Sequence, residues 1–89
     1  MDSESRPEEY TLNHKDGSIM AKGRVVNGLP VGYWQWFRKN GTLMRSGYFR
    51  DGIQVGEWTT YDKEGNVYKV TDMKDGKIGA EKTIIRRNE

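Results

Sequence analysis

The chain alternates short apolar and aromatic runs with polar clusters built on glycine. Tyr33-Trp34-Gln35-Trp36-Phe37 and the stretch from Leu43 to Phe49 show the texture best. Aromatic and β-branched residues dominate these runs, and alanine occurs only at Ala21 and Ala80. Length and composition both predict strands rather than helices. The glycine clusters recur in phase. Asp16-Gly17, Asn40-Gly41 and Glu64-Gly65 stand 24 residues apart, as do Asn27-Gly28, Asp51-Gly52 and Asp75-Gly76. Gly23 and Gly47 keep the same interval, as do Val31-Gly32 and Val55-Gly56.

Side chains keep the phase too. Tyr10, Trp34 and Trp58 form one column, and Phe37 and Tyr61 another. Ile19, Leu43 and Val67 form a third, and Val25, Phe49 and Met73 a fourth. Columns in common phase over most of a chain mean internal repetition. The units are 10–33, 34–57 and 58–81, with 82–87 as a capping strand and 1–9 as a disordered tail. The third unit has Thr71 in place of the in-strand glycine and is one residue short near Ile78-Gly79.

Each unit reads as strand, tight turn, strand, wider connection. A type I turn followed by a left-handed glycine accepts Asp16-Gly17, Asn40-Gly41 and Glu64-Gly65 alike, so Gly17, Gly41 and Gly65 are structural. The connection from Gly28 to Gly32, and its copy from Gly52 to Gly56, is expected to be a wider loop. Pro30 lacks the N–H that a central ladder needs. Gly28, Gly52 and Gly76 are placed there as structural residues. Gly23 and Gly47 are expected to leave room for an aromatic ring over the backbone. The whole is predicted to be all-β: an antiparallel β-hairpin repeat array, a single-sheet meander of about seven strands.

The spacing Gly32-x-Trp34-x-x-Phe37-x-x-x-Gly41-x-Leu43-x-x-x-Gly47-x-Phe49-x-x-Gly52-x-x-x-Gly56-x-Trp58-x-x-Tyr61-x-x-x-Gly65 resembles MORN repeats, most closely the bacterial variant described as antitoxin-like. The likeness covers about residues 10–81. It implies a β-hairpin array used for protein contacts, in some cases for lipid contacts, and a toxin as the partner. Trp34, Trp58, Phe37, Tyr61, Leu43 and Phe49 occupy repeating columns and are expected to be structural, forming the core. The last unit departs from the pattern at Thr71 and at Lys82, which stands where the aromatic is expected.

Composition narrows the function. The 89 residues are 34% hydrophobic and 31% charged, and the mean hydropathy is −0.95. No apolar run approaches the roughly 20 residues of a spanning helix. Three Trp, five Tyr and two Phe are more aromatics than a disordered chain carries. The chain has no cysteine, which excludes disulfides and thiolate chemistry. Residues 1–10 are polar and acidic, unlike a secretory leader, so a cytoplasmic location is expected. A net charge of +2 with interleaved acids opposes nucleic-acid binding.

Catalytic patterns are missing. The single histidine, His14, lies beside a turn with no second ligand near it in sequence. No nucleophile elbow, phosphate loop or zinc-binding helix motif is present. No enzyme activity, metal or cofactor is expected.

Two surface features remain. Trp36 and Tyr48 belong to no column: Leu12 and Thr60 stand where Trp36 does, and Arg24 and Asp72 where Tyr48 does. They are expected to be exposed anchors for a partner, together with Met44 and Tyr33. Lys15, Lys39 and Lys63 each open a tight turn and should form a row along one edge, about 10 Å apart. The leading expectation is a non-enzymatic module that binds a partner protein or a second copy of itself. The alternative is a membrane-surface module that uses the lysine row on anionic lipid.

Overall fold

The computed structural model describes residues 6–84. They form β1 (Glu8–Asn13), β2 (Ile19–Val26), β3 (Leu29–Phe37), β4 (Leu43–Arg50), β5 (Ile53–Tyr61), β6 (Val67–Lys74) and β7 (Lys77–Thr83). Every strand pairs antiparallel with the next, in the order β1-β2-β3-β4-β5-β6-β7, and the sheet stays open. The meander is the one the glycine phase predicts. Its first strand starts at Glu8, so Glu8 and Glu9 belong to the sheet and not to a tail. Residues 1–5 and 85–87 of the expected tail and capping strand lie outside the described residues.

Turns alternate between two designs, one at each edge of the array. At the first edge Gly17, Gly41 and Gly65 donate to the carbonyls of His14, Arg38 and Asp62 at 2.9–3.0 Å, with φ near +90°. The closing bonds run from His14, Arg38 and Asp62 N–H to Ser18, Thr42 and Asn66. This is the expected three-residue turn with a left-handed glycine.

The second edge corrects the sequence reading. The connections are two-residue turns, not wide loops. Asn27, Asp51 and Asp75 have φ of 52°, 49° and 51°, and the following glycines also have positive φ. Positive φ at both central residues defines a type I′ hairpin, which suits the sheet's twist. Pro30 lies inside β3, opposite Val25. Its carbonyl accepts the Gly52 N–H at 2.9 Å. A strand residue points its N–H and C=O to the same side, so the missing N–H faces the next turn and costs β2 no bond.

Hairpins are joined to one another in three places. In the middle, Trp34 lies flat over Gly23 and Trp58 over Gly47. A Cβ on Gly23 would come within 2.2 Å of the Trp34 ring, and one on Gly47 within 2.0 Å of Trp58. Each indole N–H donates to the carbonyl after that glycine, Trp34 to Arg24 (3.0 Å) and Trp58 to Tyr48 (3.2 Å). At the first edge His14 Nε2 donates to the Phe37 carbonyl (3.1 Å) and Arg38 Nη2 to the Tyr61 carbonyl (2.8 Å). At the second edge Gly52 and Gly76 donate to the carbonyls of Pro30 and Gln54, both at 2.9 Å.

The last hairpin breaks the series. Register puts Glu81 opposite Thr71, so Glu81, and not Lys82, takes the aromatic position. Between Lys22/Gln35 and Arg24/Val31 the pairing skips two more residues of β3 than of β2, at a bulge that contains Gly32. Between Asp72/Ala80 and Met73/Ile78 it skips only Gly79, which accounts for the missing residue. Thr71 Oγ1 donates to Glu81 (3.0 Å), and Lys69 pairs with Glu81 at 3.5 Å. Gly and Trp are thus exchanged together for a polar pair on the final strands.

Candidate functional site

The sheet has two unlike faces. One carries Tyr10, Trp34, Trp36, Phe49 and Trp58 as a continuous ring stack. Centroids lie 6.3 Å apart for Tyr10–Trp34, 5.9 Å for Trp34–Trp36, 5.3 Å for Trp36–Trp58 and 5.1 Å for Phe49–Trp58. Trp34 and Trp58 are 4% and 5% exposed, and Ala21 and Met73 complete the buried apolar set. Beside the stack, Leu12, Val25 and Pro30 line a shallow apolar groove.

Trp36 is therefore not a free anchor. It sits between Trp34 and Trp58 and is half-buried. The reason is lateral: Trp58 of the next hairpin closes on it beside Trp34 and Phe49 of its own, which membership of a column does not reveal. Met44 is exposed, but it is the extra residue of a bulge between Trp36/Arg45 and Phe37/Leu43. Met20 and Tyr68 hold the same bulge position in the other two hairpins. Met44 is thus a repeat feature at the turn edge, away from the tyrosines.

Tyr33 and Tyr48 occupy the opposite face. They pair directly across β3 and β4, and their rings lie 5.3 Å apart. Each is 46% exposed. Leu29 and Ile53, also exposed, stand on the same side near the type I′ turns, where they pack on Gly52 and Gly76 of the next hairpin. Phe37 and Tyr61 share this face and are half-buried. Lys22 covers the Phe37 ring at 5.7 Å, and the Tyr61 hydroxyl lies 3.5 Å from Ser46 Oγ. The tyrosine pair is the central apolar patch of a face that no other layer of the described residues covers. Aromatic pairs with polar tips in such a place suit protein contacts.

Lys15, Lys39 and Lys63 are all exposed and follow one another along the first turn edge. Asp16 lies beside Lys15 and accepts from Ser18 N–H (2.9 Å) and Oγ (2.6 Å). The Ser18 hydroxyl and then its N–H hold the Asp16 carboxyl below its usual range. Asn40 makes the same contacts with Thr42. In the third turn Glu64 is too long for this role, and Asp62 accepts from the N–H groups of Glu64 and Asn66 instead.

His14 is spent on the Phe37 carbonyl, so its role here is to join two hairpins. Sequence reasoning missed that role and its partner Arg38. The signal was present: His14, Arg38 and Asp62 keep the 24-residue phase, and the first two are donors with a hairpin still to come. Among the described residues no group of three or more His, Asp or Glu side chains is placed to hold a metal. No helix of the described residues is long and apolar enough to cross a membrane.

Comparison with known proteins adds no relative. No family model matches the chain, and neither a curated protein nor a solved structure is significantly similar to it.

Proposed function

We propose that this chain is a non-enzymatic protein-interaction module, a MORN-like hairpin array that presents Tyr33 and Tyr48 to a partner protein in the cytoplasm. The observation that carries the reading is the uncovered tyrosine pair. Its counterparts in the flanking hairpins are charged, Glu9/Arg24 and Glu57/Asp72, so the repeat itself does not require tyrosine there. Rigid aromatic side chains at the centre of an open face are the usual anchors of protein interfaces. The resemblance to antitoxin-like arrays suggests a toxin as the partner, with this chain as its inhibitor.

Co-purification from the native host tests the reading. The tagged parent chain should bring down one partner in stoichiometric amount, a second protein or an untagged copy of itself. A Tyr33→Ala/Tyr48→Ala variant, folded by near-ultraviolet circular dichroism, should lose it. Retention by the variant would reject the tyrosine face as the contact.

The row of Lys15, Lys39 and Lys63 supports a second reading, attachment to anionic lipid. Charge reversal of all three should then abolish sedimentation with phosphatidylserine vesicles and leave protein capture intact. Absence of vesicle binding by the parent would remove this reading.

A further inference from the structure

Three successive hairpins carry Glu9/Arg24, Tyr33/Tyr48 and Glu57/Asp72 at equivalent places. Each member is one residue from a member of the ring stack, from its glycines, or, for Asp72, from the Thr71 that replaces the glycine opposite Trp58, so all point to the tyrosine face. The line is basic next to the tyrosines on the β2 side and acidic on the β5 side. Among the described residues neither Arg24, Glu57 nor Asp72 takes part in an ion pair. Glu57 and Asp72 stand directly opposite one another, an unfavourable arrangement for like charges across two strands. Lys74, on the same strand as Asp72, lies against Gly79 instead.

This pattern is self-complementary. We propose that the tyrosine face binds a second copy of the chain about a two-fold axis through the Tyr33–Tyr48 pair, close to the strand direction. The axis exchanges the β2 side with the β5 side. Arg24 of each copy then meets Glu57 of the other, and four tyrosines fill the centre. An axis perpendicular to the strands would set Arg24 on Arg24 and Glu57 on Glu57. The near-parallel strands of the favoured arrangement match the usual packing of two sheets. Glu9 and Asp72 stand one strand further out, at the rim, where water and salt screen them.

The face is large enough. Six strand spacings of about 4.8 Å by some eight residues of about 3.3 Å give roughly 750 Å². One partner of a standard interface contributes about 800 Å². The proposal rests on the reading of the tyrosine face as a protein-contact surface and names its occupant.

Sedimentation equilibrium over a concentration series tests it with three proteins: the parent, Arg24→Glu and Glu57→Arg. The parent should dimerise. Each variant should dissociate roughly tenfold more readily or worse, since it replaces two attractive pairs by two repulsive ones. An equimolar mixture of the two variants should recover a heterodimer. The carboxylate that replaces Arg24 in one copy then meets the guanidinium that replaces Glu57 in the other. The double variant Arg24→Glu/Glu57→Arg should dimerise like the parent. Arg24 and Glu57 are three strands apart within one chain, so no change inside the monomer mimics this rescue. A strictly monomeric parent, a dimer indifferent to both changes, or a mixture that stays apart overturns the proposal. If the dimer is absent while tyrosine-dependent capture of another protein persists, the dimer fails and the contact-surface reading stands. If tyrosine removal leaves capture unchanged, that reading fails as well.

Discussion

Gly47→Ala is the sharpest test of how the hairpins are held together. The added Cβ would lie 2.0 Å from Trp58 Cδ2 and 2.2 Å from Cε2, distances that real atoms do not adopt. The strand is held against retreat by its ladders to β3 and β5 on either side. The indole has to leave its place. It would forfeit its hydrogen bond to Tyr48 and its packing on Trp36 and Phe49. Overpacking costs about 1–3 kcal/mol. Each ring pair adds roughly 0.5–1.5 kcal/mol and the hydrogen bond about 1 kcal/mol. A loss of about 3–7 kcal/mol is expected, against roughly 4–13 kcal/mol of total stability for a chain of this length. Urea denaturation followed by tryptophan fluorescence reads it as a lower midpoint at unchanged slope. Gly41→Ala is the control: it adds its Cβ to open space and is penalised only for a φ of +91°, about 1 kcal/mol. If Gly47→Ala costs no more than Gly41→Ala, the ring-over-glycine account is wrong.

Three further outcomes follow from individual contacts. Gly41→Val should destabilise more than Gly41→Ala, since β-branching disfavours positive φ most, and thermal melts of the two decide it. Arg38→Met removes a charged hydrogen bond to the Tyr61 carbonyl and should cost about 1.5–3 kcal/mol in urea denaturation, with the largest rise in amide exchange in β5 and β6. Asp16 has a folded-state pKa below the usual 3.8, so its contribution is complete above the unfolded value and disappears as pH falls through the folded one. Asp16→Asn should therefore match the parent near neutrality, as Asn40 does in the next turn, and lose less stability on acidification.

Much of this arrangement is legible in the sequence. The 24-residue phase locates the turn glycines at both edges, the three-residue geometry at Gly17, Gly41 and Gly65, and the rings over Gly23 and Gly47, but not the two-residue geometry of the second edge. Pro30 reads wrongly as a loop residue because its cost depends on which way it points within the ladder, a parity set by the two-residue turn at Asn27-Gly28. Trp36 reads wrongly as exposed because repetition along the chain is a poor guide to burial when the neighbours, Trp34 and Trp58, come from two hairpins. His14 and Arg38 escape notice because they share reach and donor capacity but not chemistry. The charge line from Arg24 to Glu57 needs the strand register before it can be seen at all.

The central claim is that Tyr33 and Tyr48 form the contact face. Hydroxyl-radical footprinting of the chain in its native host, compared with the dilute purified chain, tests it most directly. Tyr10, Tyr33, Tyr48 and Tyr68 are 46%, 46%, 46% and 48% exposed, so Tyr10 and Tyr68 serve as internal standards. The account predicts that Tyr33 and Tyr48 lose reactivity in the host while Tyr10 and Tyr68 keep theirs. Equal reactivity of all four tyrosines in both settings, or protection confined to Tyr10 on the tryptophan face, would contradict it.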